Sequence, residues 1–284
     1  MSRPFLKMNG LGNDFVVVEA RPGNPFGPFA PSEAEARAIA DRADGIGCDQ
    51  LIAIEPSANA DAFMRIWNAD GGAVEQCGNA ARCVGWLLLE ASGRETVRLE
   101  TPAGTLEVGR AGPTSVTVDM GKPGLDWREI PLEEPMDTRG IELQVGPIDN
   151  PVMHTPGAVS MGNPHVVFFV ADAETAPVRE VGSMIEHHRL FPQRTNVEFC
   201  EVKARDRLRV RVWERGVGVT KACGTGACAA LVAAHRRALC NREAVVQMDG
   251  GELTIHWRKE DDHVLMTGPV AIEFTGRLPE RTRA

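Results

Sequence analysis

The sequence predicts an α+β fold of two pseudo-symmetric lobes, each a mixed β-sheet wrapped around a central helix, with the active site in the cleft between them. Three observations predict it. Arg65-Ile66-Trp67 and Cys77-Gly78 both recur 146 residues later, as Arg211-Val212-Trp213 and Cys223-Gly224, in a chain with only 5 Trp and 7 Cys. Gly12-Asn13 followed by Val16-Val17 resembles Gly162-Asn163 followed by Val166-Val167, 150 residues on. Each repeated cysteine is followed by a segment, 80–91 or 226–239, that is apolar on most faces, as in a helix buried centrally.

The elements follow in order. In each half a strand opens near Gly-Asn, a helix follows, then a strand near an amide, an Arg-x-Trp strand, and Cys-Gly leading into the central helix. The first helix has a capping box, Ser32 with Glu35 three residues on. Alternation and β-branched content predict strands within 97–108, 115–120, 166–170, 208–213, 244–257 and 264–274. The Gly/Pro-rich stretch 121–124 is the expected junction. It divides an N-terminal lobe, 1–122 completed by a C-terminal strand at 270–284, from a second lobe, 123–269.

Composition narrows the function. With 43% apolar and 25% charged residues, the 284-residue chain reads as an ordinary globular protein. A net charge of −8 argues against a nucleic-acid partner, whose phosphates call for basic patches. The arginines of 205–211 alternate with apolar residues and read as the solvated face of a strand. The start lacks the apolar centre of a signal peptide, and the longest apolar runs are far too short to span a membrane. A cytoplasmic location and free thiols are therefore expected. Tyrosine is absent, which removes phenol acid/base chemistry.

Cys77 and Cys223 each precede a small, Gly-containing turn that opens a helix. The unpaired N–H groups of a first helical turn carry partial positive charge, lower a thiol's pKa and bind carboxylates. Inverting a stereocentre needs a base on one face and an acid on the other, and two thiols supply both. Cys48, Cys83, Cys200, Cys228 and Cys240 read instead as small core residues. The spacings Cys77-x5-Cys83 and Cys223-x4-Cys228 do not suit zinc, and Cys-x-x-Cys is absent. A disulfide between Cys77 and Cys223 would be an inactivating oxidation product. The histidines show no metal-ligand spacing, and His187-His188 reads as an exposed helix end.

The repeat also aligns polar residues at predicted strand ends: Asn13 with Asn163, Gln50 with Asn196, and Asn68 with Glu214. Uncharged amides suit both ends of a zwitterion. Arg215 has Ala69 as its counterpart, so the second lobe is expected to carry the group that reads a distinguishing carboxylate. Asp70 and Glu75 read as ordinary turn and surface acids.

At these residues the sequence closely resembles the diaminopimelate epimerase family. The resemblance is carried by residues 8–15, the segment from Arg65 to Cys83, Gly162-Asn163-Pro164-His165, Thr195-Asn196-Val197-Glu198-Phe199, and the run from Glu214 through Ala222-Cys223-Gly224-Thr225-Gly226-Ala227. It implies interconversion of LL- and meso-diaminopimelate, in lysine and peptidoglycan-precursor synthesis, with no cofactor or metal and in a homodimer. Cys223 would be the base and Cys77 the acid from LL to meso. His165 and Glu214 would lie near the thiols and modulate their pKa values. Asn13, Gln50, Asn68, Asn163, Asn196, Glu214 and Arg215 would contact substrate, with Gly78, Asn79, Gly224 and Thr225 holding the reacting carboxylate. Cys48 and Ala73 depart from the commonest family pattern, and Val219 and Lys221 lie in a variable loop. A proline-type racemase, a phenazine-pathway isomerase and a non-catalytic amino-acid-binding protein are the competing readings. The cysteine pair disfavours the phenazine-type isomerases, and Arg215 disfavours proline.

Overall fold

A computed structural model describes residues 2–75 and 77–278. The chain forms two compact units, Met1–Val118 with Gly268–Ala284, and Asp119–Thr267.

The first unit begins with β1 (Pro4–Gly10) and β2 (Asn13–Glu19), then α1 (Glu33–Ala40), β3 (Gln50–Glu55), β4 (Ala62–Asn68) and β5 (Ala73–Val74). Next come α2 (Gly78–Ser92), β6 (Thr96–Thr101), β7 (Gly104–Gly112) and β8 (Ser115–Asp119). β1 and β2 are antiparallel, β2 and β3 parallel, β3 and β4 antiparallel, and β4 and β6 parallel, before the β6–β7–β8 meander. Ser32 caps α1: its hydroxyl accepts from the Glu35 N–H, and its own N–H donates to the Glu35 carboxylate. α2 packs on β1, β2, β6 and β7. Gly85 permits this approach, because a Cβ there would stand 2.5 Å from Val108 Cγ1. Phe5, Val16, Val18, Ala36 and Leu51 fill a core on the α1 side.

The second unit runs through β9 (Gln144–Val145), β10 (Met153–His154), β11 (Gly157–Ser160), β12 (Pro164–Phe169), α3 (Val178–Glu186), β13 (Asn196–Ala204), β14 (Arg207–Glu214) and β15 (Gly218–Thr220). It continues with α4 (Gly224–Arg236), β16 (Glu243–Met248), β17 (Gly251–Trp257) and β18 (Val264–Pro269). From β11 onward its pairings repeat those of the first unit: β11–β12 antiparallel, β12–β13 parallel, β13–β14 antiparallel, β14–β16 parallel, then β16–β17–β18. α4 packs on β11, β12, β13, β14, β16 and β17. Its residues 226–234 are all buried, the environment expected for a helix apolar on most faces. β19 (Ala271–Arg277) returns to the first unit and pairs antiparallel with β1; residues 279–284 of the expected closing strand lie outside the described residues.

Both central helices start two residues earlier than expected, at Gly78 and Gly224. One expectation is corrected. Arg209 is not on a solvated face but only 7% exposed, on a strand against which both α3 and α4 pack. Its guanidinium is matched by Glu174 at 2.7 Å and by Asp249, as a buried cation requires. Cys48, Cys83, Cys200, Cys228 and Cys240 are all buried, as core residues are. Among the described residues no helix is long and apolar enough to cross a membrane.

Candidate active site

The amides expected to form a ligand shell fall at strand ends. Asn13, Gln50 and Asn196 open β2, β3 and β13; Asn68 and Glu214 close β4 and β14; Asn163 immediately precedes β12. Asn13 is placed by a two-residue hairpin in which Gly10 pairs with Asn13 and both turn residues are left-handed, Leu11 at φ 67° and Gly12 at φ 80°.

In the first unit Cys77 is the residue before α2, in extended conformation, and makes no capping bond to the helix. Its thiol instead donates to Asn13 Oδ1 across 3.9 Å. Asn13 is in turn fixed by its own amide, whose Nδ2 donates to Asp49 Oδ2 at 2.7 Å. Asp49 also accepts from the Asp14 N–H and from Arg42, while Asp14 takes Lys7 and Arg42. Burial works against the Asp14 charge, but hydrogen bonds from Arg42 and Lys7 outweigh it and hold the carboxyl far below its usual range. Gln50 Nε2 donates to Asn68 Oδ1 at 3.0 Å. Gly78 and Asn79 are buried in the first turn of α2. Oε1 of Gln50 and Oδ1 of Asn79 are buried acceptors with no hydrogen-bond partner among the described residues.

The second unit binds its cysteine differently. Cys223 is the N-cap of α4, and its sulfur accepts from the Gly226 N–H at 3.4 Å and lies 3.4 Å from Thr225 Oγ1. Asn163 Nδ2 donates to the same hydroxyl at 3.4 Å, and Asn163 Oδ1 meets His165 Nε2 at 3.0 Å. His165 thus reaches the thiol through two intermediaries. The Glu214 carboxylate accepts from Thr220. Asn196 Oδ1 accepts from the Arg215 N–H at 2.9 Å, and the exposed Arg215 guanidinium donates to the Gln193 carbonyl.

The helix start was expected to lower the pKa of each thiol. At Cys223 the structure shows the opposite: burial pushes it well above its ordinary value, and the Glu214 and Glu198 carboxylates push it further, against smaller opposing effects from Thr225 and the Gly226 N–H. Two first-turn donors do not offset full desolvation beside two acids. The resulting thiolate, once formed, is a stronger base.

Three acids that sequence reasoning left without a role organise these residues. Asp49 holds Asn13. Glu198, completely buried, places Oε1 2.7 Å from His165 Nδ1. Glu186, also buried, accepts from Trp213 Nε1 at 2.7 Å and from the Gly216 N–H at 2.9 Å, fixing the turn that carries Glu214 and Arg215. Asp49 directly precedes Gln50 and Glu198 lies two residues after Asn196, which was the available signal; Glu186 had none.

The family model for diaminopimelate epimerase matches residues 5–125 and 157–273. A diaminopimelate epimerase of Phenylobacterium zucineum (strain HLK1) is 61% identical, over 98% of this chain and 99% of its own. Another, of Caulobacter sp. (strain K31), is 57% identical over the whole of both chains. Among solved structures, a hydroxyproline epimerase of Agrobacterium vitis with bound trans-4-OH-L-proline shares the fold at TM-score 0.68 and 18% identity, covering 97% of this chain and 90% of that one. A Bacillus anthracis PhzF-family protein does so at TM-score 0.66 and 14% identity, covering 98% and 99%. The chain belongs to the diaminopimelate epimerase family.

Proposed function

We propose that this isomerase interconverts LL- and meso-2,6-diaminopimelate without a cofactor, with Cys77 and Cys223 as its acid/base pair. The observation that carries the cysteine roles is the unlike bonding of the two sulfurs. The Cys77 thiol faces an acceptor, Asn13 Oδ1, whereas the Cys223 sulfur accepts from the Gly226 N–H. The first arrangement suits an acid and the second a base.

From LL to meso, the Cys223 thiolate removes the Cα proton and the electron pair passes into the adjoining carboxylate. The Cys77 thiol then delivers its proton to the opposite face. The products are a Cys223 thiol and a Cys77 thiolate, so meso-diaminopimelate starts the reverse reaction from that state. The first-turn N–H groups at Gly78-Asn79 and Gly224-Thr225 stabilise the charge that accumulates on the carboxylate. An α-ammonium supplies donors for buried acceptors such as Gln50 Oε1 and Asn79 Oδ1, which otherwise carry the cost of lost hydration. Arg215, Asn163, Asn196 and Glu214 read the distal amino-acid end. The mechanism requires one sulfur to reach each face of the same carbon.

The same reading includes a homodimer, supported by Ile272 and Phe274 exposed on β19, and a reducing, cytoplasmic setting that keeps both sulfurs at the thiol level. Light scattering of the purified protein tests the dimer. The activity is tested by proton NMR of reduced protein with each diaminopimelate isomer in D2O, no cofactor added. Loss of the Cα proton signal with interconversion of the isomers supports it. Folded, reduced protein that exchanges no Cα proton rejects it.

A further inference from the structure

The two units place different chemistry at one position of the same ladder. In the first, Phe15 stands opposite Gln50 and Val17 opposite Ile52. In the second, His165 stands opposite Asn196 and Val167 opposite Glu198. Phe15 and His165 each lie two residues after the shell asparagine, and Ile52 and Glu198 two after the shell amide on the next strand. All four side chains are completely buried. The fold therefore tolerates an apolar pair here, which avoids the desolvation that an imidazole and a carboxylate must bear. Folding alone does not call for the polar pair.

The hydrogen bonds show what it does. Glu198 Oε1 meets His165 Nδ1 at 2.7 Å, one short hydrogen bond between two buried groups. His165 Nε2 faces the Asn163 carbonyl oxygen at 3.0 Å, so that nitrogen carries a hydrogen and donates. The Asn163 amide is thereby held with Nδ2 donating to Thr225 Oγ1 at 3.4 Å. With that oxygen already accepting, the Thr225 hydroxyl hydrogen is left to point at Cys223 Sγ, 3.4 Å away. Glu198 also sits against the start of α4, where a Cβ on Gly226 would come within 2.8 Å of its Oε1.

We propose that Glu198 is a positioning residue of the reaction: through His165 and Asn163 it fixes the Thr225 hydroxyl as a donor to the Cys223 sulfur. The proposal rests on Cys223 being a reacting thiol. It also makes a prediction of sign. As a bare charge, Glu198 disfavours the thiolate, so removing it would ease ionisation of Cys223. As the anchor of the relay, it favours the thiolate, so removing it makes ionisation harder. The other charge acting on this sulfur, Glu214, is unchanged by the test.

The test uses the full chain and replaces the pair by the residues of the twin unit, His165→Phe with Glu198→Ile, beside Thr225→Val, the triple variant and Thr225→Ser. The pH dependence of Cys223 alkylation by iodoacetamide is followed by peptide mass spectrometry, with turnover and thermal unfolding measured in parallel. The double variant is expected to melt no lower than the parent and to need about one pH unit more for half-maximal alkylation, about tenfold less thiolate at fixed pH, with kcat falling alike. Thr225→Val shifts the same way, the triple variant no further than Thr225→Val alone, and Thr225→Ser restores the parent profile. A shift to lower pH, no shift, or independent additive shifts overturns the proposal. Glu198→Leu, read the same way, decides it if the double variant does not fold. If the parent protein epimerises no diaminopimelate yet its thiol follows this order, the functional reading fails and the relay stands.

Discussion

Asp49 and Asn13 are joined at 2.7 Å, carboxylate to amide, and the other end of that amide is the oxygen that accepts from the Cys77 thiol. The orientation of Asn13, and with it the partner of the Cys77 thiol, is decided by the Asp49 carboxylate. Asp49→Ala is expected to lower kcat/KM by about ten- to a hundredfold, the scale of one hydrogen bond to a charged group. Steady-state kinetics with the LL isomer checks this, with a circular dichroism spectrum to confirm that the fold is kept.

Cys77→Ala and Cys223→Ala are each expected to abolish epimerisation while leaving thermal unfolding nearly unchanged. Their Ser versions should retain little, because a hydroxyl is a far weaker acid than a thiol. Near-normal turnover in either Ala variant would sink the two-thiol mechanism.

Gly226→Ala is expected to cost activity more than stability. The added methyl would stand 2.8 Å from Glu198 Oε1 and 3.3 Å from Cys223 Sγ, whereas Ala gains about 1 kcal/mol over Gly in a helix. A fall in kcat of at least about tenfold with a melting temperature within a few degrees of the parent is the expected pair of results.

Alkaline pH should destabilise the protein through its core thiols. Burial raises Cys48 and Cys240 to about 11 and Cys83 to about 12, from an ordinary value of 9.0. A group raised in the folded state contributes fully below its unfolded pKa, and that contribution is lost as pH climbs through the folded value. Stability is therefore expected to be flat up to about pH 9 and to fall above it, each such thiol adding about 1.4 kcal/mol per pH unit to the slope. Urea unfolding at intervals from pH 8 to 10.5 measures the slope, and Cys48→Ala should reduce it by one thiol's share.

Arg209→Ala should destabilise by about 2–3 kcal/mol, since it strips the buried cation from Glu174 and Asp249, both of which keep some contact with water. Chemical denaturation of the variant provides the comparison.

The repeat was legible because its markers are scarce: two Arg-x-Trp strands, two Cys-Gly turns and the amides aligned with them. The second unit's pairing order, from β11 to β18, follows directly from that periodicity. Glu198 was not legible as an organising group. Val197-Glu198-Phe199 alternates like a half-exposed strand, and only the packing of α3 over Val197 and Phe199 and of α4 over Glu198 shows that both faces of β13 are covered. Arg209 was misread for the same reason one strand away. The pKa direction at Cys223 was equally hidden, because its helix start is local in sequence while Glu198 and Glu214 reach it from separate strands.

The pairing of β1 with β19 has a consequence for how the chain matures. β1 leaves the ribosome about 260 residues before its partner Ala271–Arg277, so one side of β1 stays open for roughly 13–50 s at ordinary elongation rates. The second unit is continuous in sequence and emerges entire before β19 does. During synthesis the first unit is therefore completed only after the second, and an open strand edge is held in the nascent protein for that interval, the kind of surface that chaperones cover.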